Sequence, residues 1–204
     1  MSDTTIYLIR HGELDNPEKK FYGRVVDIGL DDLGREQIGK LGNMIALHDG
    51  GIDVLVTSPL RRARESAEIL VERFGIPYEI DEELLETDSK GFEGMTLEEA
   101  ASLDLSHLPE GMSVEEPEHI ASRMVGAVRG LVEQYAGKRI GIVSHGSPIA
   151  YVMWKLLHSD APVSSHLQEI SSLDPKKGNA WRLAFGDAGR VIEYAHVSFD
   201  GRST

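Results

Sequence analysis

Ile6-Tyr7-Leu8-Ile9-Arg10-His11-Gly12-Glu13 sets four apolar residues, enough for a short buried strand, directly before an arginine, a histidine and a glycine. The same construction recurs twice. Val54-Leu55-Val56-Thr57 runs into Ser58-Pro59-Leu60-Arg61-Arg62-Ala63, and Ile140-Gly141-Ile142-Val143 runs into Ser144-His145-Gly146. In an open α/β sheet, ligands bind in the crevice beyond the carboxyl ends of the strands, so residues that follow three separate strands can meet there. Each of these strand ends carries a group suited to phosphate.

Working outward from these runs, apolar stretches alternate with helical periodicity. Ile38, Leu41 and Ile45 mark one helical face, and Leu60, Ala63, Ala67, Leu70, Val71 and Phe74 mark a second, which Gly75-Ile76-Pro77 terminates. A third helix is expected from about Pro117 to Tyr135, with Ile120, Met124, Val128, Leu131 and Tyr135 inward, and a fourth after Gly146 through Ile149, Val152, Met153 and Leu156. This alternation predicts an α/β fold: a three-layer α/β/α sandwich around a mostly parallel sheet. Residues 87–116, rich in acids, glycine and proline with one short helical stretch near Leu97 to Ala101, read as a small insertion over the active-site face. Near the C-terminus, Trp181 to Phe185 and Val191 to Val197 read as a hairpin at the sheet edge around a Gly186-Asp187-Ala188-Gly189 turn.

With 204 residues, 41% of them hydrophobic, the chain is expected to fold as one domain over 1–204. The first residues, Met1-Ser2-Asp3-Thr4-Thr5, lack the basic lead of a signal peptide, and no apolar run approaches the roughly 20 residues of a bilayer span, so the expected location is cytoplasmic. The absence of cysteine excludes disulfides, thiolate metal sites and a cysteine nucleophile. A net charge of −13 argues against nucleic acid or an anionic membrane as partner, because both need a basic footprint. A small phosphate ester remains compatible, since cationic groups need only be concentrated in one pocket. The oligomeric state is not encoded in any motif.

His11 can act as a nucleophile when neutral, splitting phosphoryl transfer into two steps through a phosphohistidine. Arg10 and Arg62 suit a phosphate clamp, because a guanidinium is permanently charged and its planar fork pairs with two phosphoryl oxygens. Arg62 lies in the first turn after a strand, where helix N-terminal amides add favourable dipoles. Neither Ser144 nor Ser147 sits in a Gly-x-Ser-x-Gly elbow, which removes a serine-hydrolase reading. There is no His-Glu-x-x-His spacing, dinucleotide glycine fingerprint or P-loop, so neither metal nor cofactor is expected.

The Arg10-His11-Gly12-Glu13 opening, the Ser-x-Leu-x-Arg-Ala pattern at Ser58 to Ala63 and the late His145-Gly146 together resemble the histidine phosphatase superfamily, which includes the cofactor-dependent phosphoglycerate mutases and many small-molecule phosphatases. The resemblance runs from Ile6 to about Trp181. It implies that His11 is the phosphorylated residue and that His145 donates a hydrogen bond to a phosphoryl oxygen. It further implies that Glu86, in Leu84-Leu85-Glu86 six residues before Phe92-Glu93-Gly94, is the general acid. Here the chain departs from the family pattern: Lys90 stands where a glycine is usual, with Gly91 next, so Asp88 is an alternative acid. Asn16 is a candidate phosphate contact, because family members often carry asparagine a few residues after Arg-His-Gly, or equally a turn residue before Pro17, and Glu13 is expected to orient the motif. Arg24 and the Lys19-Lys20 pair are candidates for a second anionic group on the substrate, or for a solvated loop. Family mutases generally carry more chain over the site than residues 87–116 offer, so a phosphatase is expected before a mutase, and a silent phosphate-binding domain comes third.

Overall fold

The structure is a computed structural model, and it describes residues 3–24, 27–105, 107–159, 161–186 and 189–201. A six-stranded sheet organises it. Strands β1 (Thr4–Arg10), β2 (Val54–Thr57), β3 (Tyr78–Ile80) and β6 (Arg139–Ser144) run parallel, and β7 (Ala180–Phe185) and β8 (Val191–Val197) are added antiparallel, in the order β3-β2-β6-β1-β7-β8. The sheet is thus mostly parallel, with the C-terminal hairpin forming one edge. Asp187 and Ala188 of the expected hairpin turn lie outside the described residues.

Strand geometry sends successive side chains to opposite faces, and β1 uses both. Ile6 and Leu8 join Ile140 and Ile142 on one side, packed by Ile120, Met124 and Val128 of α4 (Pro117–Gln134) and by Ile149, Val152 and Met153 of α5 (Gly146–Leu157). Tyr7 and Ile9 join Leu55 and Val143 on the other, under Ile38, Leu41 and Ile45 of α1 (Asp32–Asp49) and Ala63, Ala67 and Leu70 of α2 (Arg61–Phe74). The result is the three-layer α/β/α arrangement.

The helix ends follow from local chemistry. Asp31 caps α1 by accepting from the Gly34 amide at 2.7 Å, and α2 stops at Gly75, whose φ of 69° lies in the left-handed region that glycine adopts freely. β3 escapes a periodicity reading because it has only three residues, none of them buried.

Within residues 87–116, β4 (Ser89–Lys90) pairs antiparallel with β5 (Ser113–Val114) and makes a neck, with α3 (Leu97–Ala101) beyond it. The tip of this segment is laced to the loop after β1. The Phe21 amide donates to Met95 O (2.7 Å), the Gly94 amide to Phe21 O (3.2 Å) and the Leu97 amide to Lys19 O (2.9 Å), while the Phe21 and Phe92 rings lie 5.5 Å apart. A short helix α6 (Leu167–Ile170), which no periodicity in the sequence announces, seats Ile170 against Trp154 and Val163. Among the described residues no helix is long and apolar enough to cross a membrane.

Candidate active site

Strand register produces the convergence. Arg10 pairs with Ser144, and Val143 with Thr57, so the next residues of the three chains, His11, His145 and Ser58, emerge side by side at one end of the sheet. The His11 amide donates to Ser144 O at 3.2 Å and the Ser58 amide to Val143 O at 2.9 Å. Both histidines are fully buried, with ring centroids 5.3 Å apart.

His11 Nδ1 lies 2.9 Å from Gly12 O. A carbonyl only accepts, so the ring proton is assigned to Nδ1 and the lone pair to Nε2, which is buried and bonds to no other group. Burial, followed by the positive charge of Arg62, holds the His11 pKa well below the usual histidine value; the Gly12 bond opposes this and is outweighed. The loop that carries His11 is pinned against the start of α1. A Cβ on Gly12 would stand 2.4 Å from Gly34 O, and one on Gly34 would stand 2.1 Å from Glu13 O, so neither position has room for a side chain. Glu13 pairs with Lys177 and accepts from the Leu14 amide, and Gln37 Oε1 accepts from the Glu13 amide at 2.9 Å.

His145 Nε2 is 2.8 Å from Ser58 Oγ. Ser58 Oγ also accepts from the Leu60 amide, which leaves its hydroxyl proton available for His145 Nε2 and assigns the imidazole proton to Nδ1. That N–H is buried and unpartnered, with Glu86 Oε2 3.9 Å away. Burial and then the charge of Arg62 hold the His145 pKa well below its usual value.

Arg62 is 1% exposed; its Nη2 donates to Gly23 O at 3.0 Å and its guanidinium carbon lies 4.8 Å from the centre of the Tyr22 ring. Arg10 is held by Asp174 (2.7 Å) and Pro175 O (3.0 Å), and it passes so near Gly146 that a Cβ there would meet its guanidinium carbon at 2.9 Å. Among the described residues, seven buried side-chain nitrogen or oxygen atoms lack a hydrogen-bond partner, and four of them are Arg10 Nε, His11 Nε2, Arg62 Nε and His145 Nδ1. Buried polar groups are normally paired, so this concentration marks a place built for a further hydrogen-bonding group. Helices α2 and α5 both begin here without a side-chain cap on their first amides, an arrangement that favours an anion.

The remaining sequence candidates divide. Glu86 comes to the group from the loop before β4, and its charge reaches Arg62, Tyr22 and Asp174; the Asp88 side chain is exposed. Among the described residues no side-chain hydrogen bond joins Asn16 to the group. Its Nδ2 donates to Lys20 O (2.8 Å) and its Oδ1 accepts from the Lys20 amide (3.1 Å), so the side chain closes a loop. Asn16 does line a cavity of about 220 Å³, together with Lys20, Phe21, Tyr22, Ile28 and Gly94. Arg24 does not present a spare charge, because its Nε donates to Glu86 O and its Nη2 to Glu115. Ser58, Tyr22 and Asp174 have roles the sequence did not disclose; only Ser58 lay inside a motif.

An α/β sheet whose parallel strand ends gather two neutral histidines and two arginines defines a class of proteins that handle phosphoryl groups. The chain belongs to the histidine phosphatase superfamily, branch 1, whose family profile matches residues 6–183. It is 32% identical over 163 residues to a Bacillus subtilis protein named "Uncharacterized phosphatase PhoE", covering 79% of this chain and 82% of that one. It is also 30% identical over 207 residues to "Probable phosphoglycerate mutase GpmB" of Klebsiella pneumoniae, covering 93% and 91%. Among solved structures, Bacillus stearothermophilus YhfR superposes with a TM-score of 0.78 at 27% identity, covering 98% of each chain. Three longer mycobacterial relatives match at 29% identity, and the alignment spans 49% of their length.

Proposed function

We propose that this chain is a phosphatase that hydrolyses a small-molecule phosphomonoester through a phosphohistidine at His11. The observation that carries the reading is the group of four unpartnered buried nitrogens on Arg10, His11, Arg62 and His145. Membership of the superfamily and the phosphatase relative support it. In the first step His11 Nε2 attacks phosphorus in line and the phosphorus–oxygen ester bond breaks, with Arg10, Arg62 and the His145 Nδ1–H holding the charge that spreads over the phosphoryl oxygens. Glu86 gives its carboxyl proton to the departing alkoxide. In the second step water attacks phosphorus and gives its proton to the Glu86 carboxylate; the phosphorus–nitrogen bond breaks, releasing inorganic phosphate and restoring His11. The departing alcohol is placed in the cavity beside Tyr22. No metal or cofactor enters either step.

The test is to incubate the purified chain, without added metal, with a panel of sugar phosphates, phosphoglycerates, nucleotides and cofactor phosphates, and to quench during turnover. The expected result is inorganic phosphate release and an acid-labile, base-stable adduct on His11 that His11→Ala abolishes with the activity. An isomerised ester without free phosphate would make the chain a mutase. Substantial turnover by His11→Ala would remove the covalent mechanism.

A further inference from the structure

Glu115 ends the segment that returns through β5, and its side chain is only 9% exposed. Four donors bond to it. Oε2 accepts from Arg24 Nη2 (2.6 Å), the Asp88 amide (3.1 Å) and Arg123 Nη2 (3.2 Å), while Oε1 accepts from Arg123 Nε (2.9 Å) and lies 3.0 Å from His119 Nδ1. The Glu115 amide in turn donates to Asp88 O at 2.7 Å. Burial opposes the charge on this carboxyl, but donation from Arg123 and the Asp88 amide, with the charges of Arg123 and Arg24, holds its pKa below the ordinary value.

The two arginines have a second task. Arg24 Nε donates to Glu86 O at 2.5 Å, Arg123 Nη2 approaches the same oxygen at 3.4 Å, and Arg123 Nη1 donates to Glu83 O. One comes from the loop after β1 and the other from the scaffold helix α4. Two guanidiniums repel at this range unless an anion stands between them, and Glu115 is that anion. With the Glu86 carbonyl held on one side, its carboxyl is directed to the other, where Oε2 lies 3.9 Å from His145 Nδ1.

We propose that Glu115 is a positioning residue for the reaction: it fixes Arg24 and Arg123 on the Glu86 main chain and thereby holds the Glu86 carboxyl at the leaving oxygen. The inference rests on the reading of Glu86 as the general acid. Asp88, the alternative acid in sequence, is then part of the clamp through its backbone amide and carbonyl.

Glu115→Gln keeps the shape but removes the charge, and it sets amide hydrogens against at least one of the incoming donors. The test compares kcat/KM for phenyl phosphate, a poor leaving group, and 2,4-dinitrophenyl phosphate, a good one that departs without a proton. Glu115→Gln is expected to slow phenyl phosphate by about tenfold to thirtyfold and the dinitrophenyl ester by less than about threefold, since general acid catalysis acts only on the former. Glu86→Gln should show the same selectivity more strongly, and Glu86→Gln/Glu115→Gln should be no slower on phenyl phosphate than Glu86→Gln alone, because the second change acts through a proton donor already gone. Equal losses on both esters from Glu115→Gln, or multiplicative losses in the double variant, would overturn the clamp while leaving Glu86 as the acid. Absence of selectivity in Glu86→Gln would overturn the acid reading and the clamp with it. Should Glu115→Gln fail to fold, Arg24→Gln, a more exposed change that removes the 2.5 Å contact, takes its place: a loss selective for phenyl phosphate supports the clamp, and equal losses on both esters overturn it.

Discussion

Replacing Ser58 by alanine tests how His145 is kept ready to donate. Ser58 and His145 are both fully buried, and among the described residues His145 Nε2 is partnered by Ser58 Oγ alone, at 2.8 Å. With the hydroxyl gone, Nε2 becomes a second unpaired buried atom on the same ring, and stability should fall by about 1–3 kcal/mol, the usual consequence of stranding a buried polar group. The imidazole is also free to place its proton on Nε2, which leaves Nδ1 unable to donate to a phosphoryl oxygen. Removing such a donor outright costs about 10² to 10³ in turnover. Because Ser58→Ala retains the ring and part of the Nδ1–H population, a fall of about tenfold in kcat/KM is expected, or about 1.4 kcal/mol of transition-state stabilisation. His145→Ala should fall further. The assay pairs steady-state kinetics with side-chain ¹⁵N shifts of His145, which report the tautomer directly. A wild-type spectrum with the proton on Nε2, or unaltered kcat/KM in a folded Ser58→Ala protein, would refute the argument.

Three more consequences are measurable. His11 and His145 are held neutral in the fold by burial and by Arg62, while in the unfolded chain each protonates below about pH 6.5; their depressed folded pKa values therefore leave this contribution to stability in place above that pH, and stability falls as the pH drops from about 7.5 to about 5.5. Denaturant titration at the two pH values reads this directly, and His145→Asn should roughly halve the difference. Gly34→Ala drives a Cβ into backbone 2.1 Å away and should lower stability by about 2 kcal/mol or more, whereas Gly39→Ala, in the same helix with nothing within 4 Å, should gain up to about 1 kcal/mol; thermal melts that rank them the other way would contradict the close packing of α1 on the His11 loop. Met124→Ala opens a hole between α4 and the sheet and should lose about 2–5 kcal/mol, with the chemistry at the strand ends unchanged in whatever fraction remains folded.

The parts legible in the sequence were those with a strong local period. The β1, β2 and β6 runs are apolar because both faces of the sheet are covered, and α1, α2, α4 and α5 show their buried stripes because each turns a face to the sheet, α5 also burying Ala150 and Trp154 beneath α6. The grouping of Arg10, His11, Arg62 and His145 could be read because their places follow from where strands end, a property of topology. Asn16 and Arg24 were harder, since a polar side chain in a loop has many reachable partners and the sequence does not say which it takes. Asn16 turned to the Lys20 backbone, and Arg24 found Glu115 at a separation of 91 residues. Such pairings depend on the path of the whole insertion. Tyr22 and Asp174 were illegible for the same reason: each gains its place only when a loop folds back over an arginine.

The lacing of residues 19–21 to 94–97 bears on any attempt to reshape the cavity beside Tyr22. The wall of the cavity beside Tyr22 is drawn from both partners in that pairing, with Lys20, Phe21 and Tyr22 from one and Gly94 from the other. A change that widens one loop also pulls on the hydrogen bonds that register the other, so single-loop libraries would mostly sample misaligned walls. Selections that randomise the two loops together, while keeping the Phe21 amide bond to Met95 and the Gly94 amide bond to Phe21, would instead search a connected set of pocket shapes with Arg10, His11, Arg62 and His145 left unchanged.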